Sequence, residues 1–547
     1  MIQVGEQILD FSIMKMKLIK PITITAIAAL VLVSCKSAVA PILSTNPANI
    51  DKNPTKTTPI KEEDLKRWSH LDLAKDTIPG MSVDKAYKEL VKGKKSTKII
   101  VGIIDSGVDI DHEDLKGHIW KNTKEIAGNK KDDDGNGYID DVYGWNFLGE
   151  ATNENLELTR IVKKGDDGSE TYKKAKAELD TKLAEMNQYK PQMDMIDKAD
   201  KAIKAHLKKD AYTLDDLKKI TTTDTSLNQS KMIMMSIATQ VGPNFQEELK
   251  GQIEYVYGQL NYNLNVNFDG RKVVGDNPYD INDKKYGNGN VKGPNVEDTE
   301  HGTHVAGIVA QLRGNKKGGD GVVANNVEIM AVRAVPNGDE YDKDIALAIR
   351  YAVDNGAKVI NGSFGKDYSP NKQWVFDAIK YAASKDVLFV HAAGNDGKDV
   401  DTEPNFPTDE VSGTEIADNV LTIGALNPEY GSKIVANFSN YGQKNVDVFA
   451  PGVKIYATVP NNKYKFLQGT SMAAPNAAGV AALIRSYYPN LTASQVKHIL
   501  MDSGTPISTT VAVGEQAQSK PFAETCVSGK IINAYNALLM AEQMSKK

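Results

Sequence analysis

The chain has 547 residues, of which 41% are hydrophobic and 25% charged, so two or three globular domains with a large buried core are possible. The formal net charge of −5 is small for this length, and no long basic block occurs. We therefore expect no nucleic-acid partner, because the electrostatic footprint that such a partner requires is missing.

The N-terminus has the pattern of an export signal. Lys15, Lys17 and Lys20 precede the apolar run ITITAIAALVLV, which is short for a spanning helix and typical of a secretory signal. The segment LVSC, ending at Cys35, resembles the bacterial lipobox, in which the signal is cut before the cysteine and the cysteine is acylated. We predict a lipoprotein signal peptide over residues 1–35 and an exported protein anchored to a membrane. An uncleaved anchor and a plain signal peptide are the alternatives. Cys526 is interpreted as a spare thiol.

Residues 36–66 are polar, contain several prolines and show no periodicity, so they predict a flexible tether. The run IIVGII that follows, closed by Asp-Ser-Gly, predicts a strand buried on both faces. Similar runs begin at Val327, Ala357, Val387, Asn419 and Val446, with helical patterns such as DKDIALAIRYAVDNG between several of them. This alternation predicts a doubly wound α/β fold with a mostly parallel sheet, and a site at the carboxyl ends of its strands.

Residues 151–263 differ in composition from the rest of the chain. They are rich in Lys, Asp, Met and Ala, and ETYKKAKAELDTKLAEMNQY reads as a long charged helix. FQEELKGQIEYVYGQL reads as a second helix. We predict a helical insertion, either a hairpin or a small bundle.

Three segments carry side chains suited to nucleophilic catalysis. Ser471, in GTSMAAP, opens an apolar helix pattern, so unpaired backbone N–H groups and the positive end of the helix dipole surround its hydroxyl. A serine nucleophile needs a base and an orienting acid, for which His301 and Asp105 are candidates. Each has a plainer interpretation: a helix cap, a turn, or a metal pair formed by His301 and His304.

The motifs DSG, HGTH and GTSMAAP, in the order Asp, His, Ser, resemble those of the subtilisin-like serine proteases, the subtilase family. The resemblance covers about residues 68–150 and 264–547, and we expect a peptidase domain over 67–150 and 264–547. It implies a serine endopeptidase that forms an acyl-enzyme, with Asp105 as acid, His301 as base and Ser471 as nucleophile. Asn395, in VHAAGND, is similar to the oxyanion-hole asparagine of the family.

The same resemblance implies a cleft that binds peptide or protein substrates in extended conformation. Ser363-Phe364-Gly365 resembles the segment that pairs with the substrate backbone, and Ala392-Ala393-Gly394 resembles the opposite wall of the P1 pocket. Asn476 departs from the family pattern, which has a histidine there, but that position is outside the triad. We expect a monomer.

The stretch KDDDGNGYIDD is a candidate calcium loop. Asp132, Asp134, Asn136 and Asp140, with a glycine between them, match the first, third, fifth and ninth positions of an EF-hand-type loop, whereas its last position would be Tyr143 instead of glutamate. Subtilases often bind calcium, so we expect a structural calcium ion here and no organic cofactor; a plain acidic turn is the alternative.

Two other functions stay open at this point. An inactive homologue could use the cleft and the insertion for binding alone, although all four catalytic side-chain types are present. A metallohydrolase could be built on the two histidines of HGTH, although no third ligand lies nearby in the sequence.

Overall fold

The computed structural model describes residues 58–323, 325–403, 405–411 and 413–546. The lipobox with Cys35 and most of the tether lie outside these residues. Within them, no helix combines the length and the apolar character needed to cross a membrane.

The secondary structure of the described residues alternates strands and helices along most of the chain. The strands are β1 (Ile99–Asp105), β2 (Gly144–Asn146), β3 (Val327–Arg333), β4 (Val359–Gly362), β5 (Leu388–Ala392), β6 (Glu410–Val411), β7 (Thr414–Glu415), β8 (Val420–Leu426), β9 (Val448–Pro451), β10 (Ile455–Val459), β11 (Lys463–Leu467), β12 (Thr505–Pro506), β13 (Thr510–Val513), β14 (Gln518–Pro521) and β15 (Lys530–Ile531). The α-helices are α1 (Glu62–Leu65), α2 (Leu73–Asp76), α3 (Val83–Ala86), α4 (Glu157–Lys163), α5 (Glu170–Leu207), α6 (Leu214–Lys219), α7 (Thr225–Val241), α8 (Phe245–Gly258), α9 (Glu300–Ala310), α10 (Asp342–Asp354), α11 (Lys372–Ser384), α12 (Thr470–Tyr487), α13 (Ala493–Asp502) and α14 (Ala534–Ser545).

The main sheet of the described residues has nine strands in the order β12-β15-β9-β8-β5-β4-β1-β3-β2. All neighbours pair in parallel except β12 and β15, which are antiparallel. The prediction of a doubly wound, mostly parallel sheet is confirmed. Strand β1 lies between β3 and β4, so the strand order reverses there, and a crevice opens at the carboxyl end of β1.

Alternate side chains of β1 enter two different hydrophobic cores. Val101 and Ile103 join the core that contains residues of α9 and α12, whereas Ile104 joins the core on the other face, with α10 and α11. A strand with both faces covered must be apolar at consecutive positions, which explains the unbroken run IIVGII. The end of this strand, Asp105, is therefore held rigidly at the crevice.

The predicted helical insertion between Asp105 and His301 is confirmed. Helix α5 is 38 residues long, and its buried side chains recur at helical spacing, for example Leu179, Met186, Met193 and Ile203. It packs against α4, α7 and α8. Its exposed face carries Lys–Asp pairs four residues apart, such as Lys176 with Asp180. The exact domain boundaries stay a prediction.

The last residues of the predicted tether are folded. Glu62–Leu65 forms one helical turn, and the partly buried Ile60 and Leu65 pack against the first core. Trp68, which follows, is fully buried and donates its indole N–H to the backbone oxygen of Val453. The residues just before position 67 thus pack on the domain and do not form a flexible tether.

Candidate active site

Asp105 and His301 meet at the crevice. The Nδ1 atom of His301 lies 2.7 Å from Oδ1 of Asp105, although 196 positions separate the two residues. Asp105 is only 1% exposed, and the same Oδ1 accepts the backbone N–H of Ser106. Because Nδ1–H donates to the carboxylate, the imidazole is fixed in the tautomer whose Nε2 is free to accept a proton.

The position of His301 depends on the glycine that follows it. A Cβ at Gly302 would lie 2.1 Å from the backbone oxygen of Gly107 and 3.1 Å from Oδ1 of Asp105. Only a residue without a side chain allows α9 to begin this close to the end of β1. The glycine of HGTH thus brings base and acid into contact.

Two opposing effects set the basicity of His301. Burial lowers the pKa of the imidazole, but the negative charge of Asp105, its hydrogen bond and the nearby Glu300 outweigh burial, so the pKa is raised above its ordinary value. The side chain keeps 40% of its surface exposed, so a substrate can reach it. An imidazole of raised pKa is a stronger proton acceptor.

Ser471 is the second residue of α12, a helix whose following turns are buried throughout. Alanines and a glycine at consecutive positions let this helix lie inside the first core, close to the sheet. Its N-terminus therefore opens at the crevice, with the backbone N–H groups of the first turn unpaired within the helix. The N–H of Thr470 donates to Asn395 and that of Met472 to the backbone oxygen of Gly469, so the N–H of Ser471 itself is the first-turn donor that suits a developing negative charge.

The hydroxyl of Ser471 does not hydrogen-bond to His301 in the described structure. It donates instead to the backbone oxygen of Ser363 at 3.3 Å, while the hydroxyl of Ser363 donates to the backbone oxygen of Ser471 at 2.9 Å. Ser363 lines one cleft together with Asp105 and His301, and its two hydrogen bonds with Ser471 place that residue directly behind this part of the cleft wall. Catalytic hydrogen bonds are often long or misaligned before substrate binds.

Asn395 is anchored by its amide oxygen. Oδ1 accepts the backbone N–H of Thr470 at 2.8 Å and the hydroxyl of the same residue at 3.0 Å. Since the amide oxygen accepts from Thr470, the NH₂ group is left for other partners, and it lies beside Gly469, where a Cβ would be 3.6 Å from Nδ2. This arrangement fits a side chain whose N–H groups serve an oxyanion.

The two predicted substrate-binding segments face each other across a narrow space. Ser363, Phe364 and Gly365 follow β4, and Ala392, Ala393 and Gly394 close β5. Asn405, which sequence reasoning missed, lies between them: a Cβ at Gly365 would be 2.8 Å from its Nδ2, and one at Gly394 would be 3.1 Å from the same atom. The space left by the two glycines is therefore partly filled by a polar side chain.

The other wall of the cleft is held by the start of the insertion. The backbone of Asn337 donates to Thr152 and accepts from Glu154, which makes a short parallel ladder beside the cleft. A Cβ at Gly338 would lie 2.3 Å from the backbone oxygen of Glu154, so the approach requires glycine. The cleft encloses about 460 Å³ and is lined on this side by Val335, Pro336, Asn337, Gly338 and Glu340.

Arg333 ties this wall to the loop after Asp105. Its guanidinium is buried and donates only to uncharged oxygens, among them the backbone oxygen of Ser106 at 3.2 Å and that of Ala151 at 2.6 Å. Burial lowers its pKa to about 10. The arginine could have been noticed as a charge at the end of a buried strand, but its partners lie far away in the sequence.

His304 does not share a ligand site with His301. Its Nε2 lies 3.1 Å from the backbone oxygens of Ile455 and Lys465, and burial lowers its pKa to about 3. Since Nε2–H donates to these carbonyls and His301 is committed to Asp105, the two rings serve different partners. The geometry gives no support to a metal pair.

The acidic loop groups its carboxylates differently from the predicted calcium set. Asp134 forms a group with Glu125 and Asp141, in which one carboxylate oxygen of each residue lies within 4.8 Å of those of the other two. Asp140 instead accepts the backbone N–H groups of residues 128–130, and Asp132 accepts those of residues 136 and 137. Asn136 donates its amide to Asp141. Glu125 and Asp141 were not foreseen, because the spacing rule considers one loop only.

This carboxylate group fits a hard cation. Asp141 is fully buried, and burial raises its pKa to about 6 despite hydrogen bonds from Tyr351, Asn136 and Asn122. Three carboxylates held this close repel one another, and within the described residues no lysine or arginine forms an ion pair with them. Oxygen donors from several carboxylates are the ligands that calcium prefers.

Comparisons with known proteins point to one family. Residues 96–522 match the subtilase family, peptidase family S8. The chain is 41% identical over 219 residues to a thermophilic serine proteinase from Bacillus sp. (strain AK1), covering 40% of this chain and 48% of the relative. It is 37% identical over 223 residues to subtilisin DY from Bacillus licheniformis, covering 40% of this chain and 76% of that protein.

The aligned part thus spans about half of the length of the first relative. Among solved structures, the prenylagaramide maturation protease PagA is 29% identical, with a TM-score of 0.37, and the match covers 44% of this chain and 82% of that chain. The match to the family extends over most of the chain and includes all three motifs. The chain belongs to the subtilase family of serine proteases.

Proposed function

We propose that the protein is a serine endopeptidase whose triad is Asp105, His301 and Ser471. The observation that carries the proposal is the 2.7 Å contact between His301 and Asp105 at the cleft. Ser363, which lines the same cleft, is hydrogen-bonded to the backbone of Ser471. Family membership supports the same activity. An inactive homologue would have no need to keep a buried acid, an oriented imidazole and an accessible serine together.

In this mechanism, rotation of the Ser471 side chain moves its hydroxyl from the oxygen of Ser363 to Nε2 of His301. The imidazole takes the hydroxyl proton while Oγ attacks the substrate carbonyl carbon, and Asp105 stabilises the imidazolium. The carbonyl oxygen becomes an oxyanion that the backbone N–H of Ser471 and the Asn395 amide stabilise.

The tetrahedral intermediate then collapses. The carbon–nitrogen bond breaks, and the imidazolium gives its proton to the departing amine, which leaves Ser471 acylated. Water enters, loses a proton to the same imidazole and attacks the ester carbon. The acid product leaves, and the hydroxyl of Ser471 regains its proton.

Substrates would bind as an added strand between two backbone segments. One wall is Ser363–Gly365, and the other is formed by Asn337 and Gly338. Backbone pairing reads little sequence by itself, so selectivity would come from the side chains that border the cleft. Substrates of this kind are peptides or unfolded parts of proteins.

Calcium is proposed as a structural ion held by Glu125, Asp134 and Asp141. When bound, it would neutralise mutually repelling carboxylates and rigidify the loop that leads into β2. This role needs no part in bond cleavage.

We further propose that the protein is exported, lipidated at Cys35, held on a membrane through that anchor, and monomeric. The support is the lipobox-like segment in the sequence. Mass spectrometry of the N-terminal peptide checks it: an acylated Cys35 is expected, and a peptide that begins upstream of that residue contradicts it.

A fluorophosphonate probe tests the catalytic proposal on the full-length chain. Wild type should be labelled at Ser471 and lose labelling in Ser471→Ala, and His301→Ala should slow labelling strongly. Ser363→Ala is a matched control that removes a neighbouring hydroxyl and should still be labelled. A wild-type protein that binds peptides without being labelled at neutral pH would favour the inactive homologue.

A further inference from the structure

Glu340 is a buried glutamate in the wall of the cleft. It is 3% exposed and lines the same 460 Å³ cleft as His301, with Phe364 and Gly365 on the opposite side. It precedes α10 and lies two residues after Gly338, on the wall held by the insertion. Glu340 therefore lies in the wall along which a bound chain would run.

The backbone oxygen of Glu340 is held by two cations, whereas its carboxylate has no side-chain partner. Nη2 of Arg160 and Nζ of Lys366 both donate to its backbone oxygen, at 3.1 and 2.7 Å. In the part of the chain that the structure describes, the carboxylate accepts its own backbone N–H but forms no hydrogen bond with another side chain and no ion pair within 4 Å. A buried carboxylate in this condition is costly unless a partner is supplied.

The cations near Glu340 are already engaged. Lys366 contacts both Glu157 and Asp342 at 2.9 Å, and Arg160 contacts Glu157 at 2.5 Å. The surrounding cluster has four carboxylates against three cations, namely Glu157, Asp339, Glu340 and Asp342 against Arg160, Lys366 and the more exposed Lys164. Burial raises the pKa of Glu340 to about 7; Lys366 lowers it in part, and Asp339 raises it further. A positive charge from outside would be stabilised here.

The position of Glu340 in the cleft also determines which residue of the substrate it would contact. The P1 pocket predicted between Gly365 and Gly394 has Asn405 between its walls, whereas the cleft that Glu340 lines includes no residue from 392 to 395. Glu340 would thus contact a substrate residue on the acyl side, beyond P1. Asp298, exposed near His301, adds a second carboxylate to the same cleft.

We propose that Glu340 is a specificity-determining residue that binds a lysine or arginine side chain of the substrate at one of the positions P2 to P4. The insertion contributes through Arg160, which holds the backbone from which this carboxylate projects. The inference rests on the proposed endopeptidase activity and names one feature of its substrates.

The test uses full-length enzyme and fluorogenic peptides that differ only by Lys, Gln or Met at P2, P3 or P4. At one position, wild type should cleave the Lys peptide with kcat/KM roughly 10-fold or more above the Gln peptide, the range expected for a hydrogen bond to a charged group. Glu340→Gln should reduce this Lys/Gln ratio roughly 10-fold, and Glu340→Asp should retain part of it. Asp396→Asn removes an exposed carboxylate that already pairs with Lys398, and it should leave the ratio unchanged.

The outcomes separate the two proposals. Lys and Gln peptides cleaved equally by wild type at all three positions would overturn the inference while leaving the endopeptidase intact. So would a ratio in Glu340→Gln equal to that of wild type, provided that the probe labels Ser471 in the variant at the wild-type rate. Absence of both labelling and cleavage in wild type would overturn the proposed function, and the inference with it.

Discussion

The Nδ1–H of His301 donates to the carboxylate of Asp105, and this carboxylate is buried, since Asp105 is only 1% exposed. This contact raises the pKa of the imidazole above 6.5, the ordinary value for histidine. The base must be neutral to accept the serine proton, so activity is lost as pH falls through that pKa. We expect the acid limb of the kcat/KM profile to have its midpoint above pH 6.5.

Two variants check the origin of this limb. Asp105→Asn should reduce kcat by about 10⁴-fold and move the remaining limb to lower pH, because the stabilising charge is gone. Glu300→Gln removes a smaller contribution to the same pKa, so it should move the limb in the same direction and keep kcat within a few-fold. A profile that is unchanged in both variants would show that another group controls the acid limb.

Asn395 should matter for kcat far more than for KM. Its Oδ1 is held by Thr470, so Asn395→Ala removes an oriented donor that acts only when the oxyanion forms. We expect kcat to fall by about 10²–10³-fold, the size known for the corresponding donor of subtilisin, a relative of this chain. Steady-state kinetics on one peptide measure it. A loss confined to KM would indicate that the side chain only binds substrate.

The buried strands were the most predictable part of the fold. Each is a short apolar run ended by polar residues or glycine. A strand that is covered on both faces must be apolar at nearly every position, so this pattern identifies it. The candidate triad residues could be predicted because each lies in a motif that can be recognised locally. The contact of Ser471 with Ser363 could not be found in this way, since it depends on how α12 packs against the end of β4.

The wall of the cleft that the insertion holds was not predictable from the sequence. Arg160 and Glu340 are 180 positions apart, and neither residue lies in a recognisable motif. Their contact exists because α4 packs beside the segment that follows β3. In the same way, Glu125 belongs with Asp134 and Asp141 only after the acidic loop has folded back onto the residues that precede it.

Calcium should stabilise the protein through Asp141. At a concentration about a hundred times the dissociation constant, an ion that binds only the folded state adds about 2.7 kcal/mol. We expect the Tm of wild type to rise from EDTA to calcium, and this rise to disappear in Asp141→Asn. Asp140→Asn is the control: its carboxylate is occupied by backbone N–H groups, so the variant should keep the calcium response even if it is less stable. Loss of the response in Asp140→Asn alone would favour the ligand set inferred from loop spacing.

Arg160 should be the main contributor to the attachment of the insertion to the cleft. It is 2% exposed and donates to the backbone oxygens of Asn155, Asp339 and Glu340 as well as to Glu157. Arg160→Met removes the donor to the backbone oxygens of Asn155 and Asp339 and leaves the buried Glu157 with Lys366 as its remaining close cation, so we expect a loss of about 3–5 kcal/mol in the free energy of unfolding. Denaturant unfolding measures the loss.

Lys176→Met provides the matched control for this prediction. Lys176 forms an ion pair with Asp180, but the two side chains are 44% and 58% exposed, so its removal should cost less than about 1 kcal/mol. Arg160→Met should also reduce kcat/KM for peptides with several residues on the acyl side while the small fluorophosphonate probe still labels Ser471, because the wall moves and the triad stays. Equal stability of the two variants would contradict a role for Arg160 in joining the insertion to the cleft.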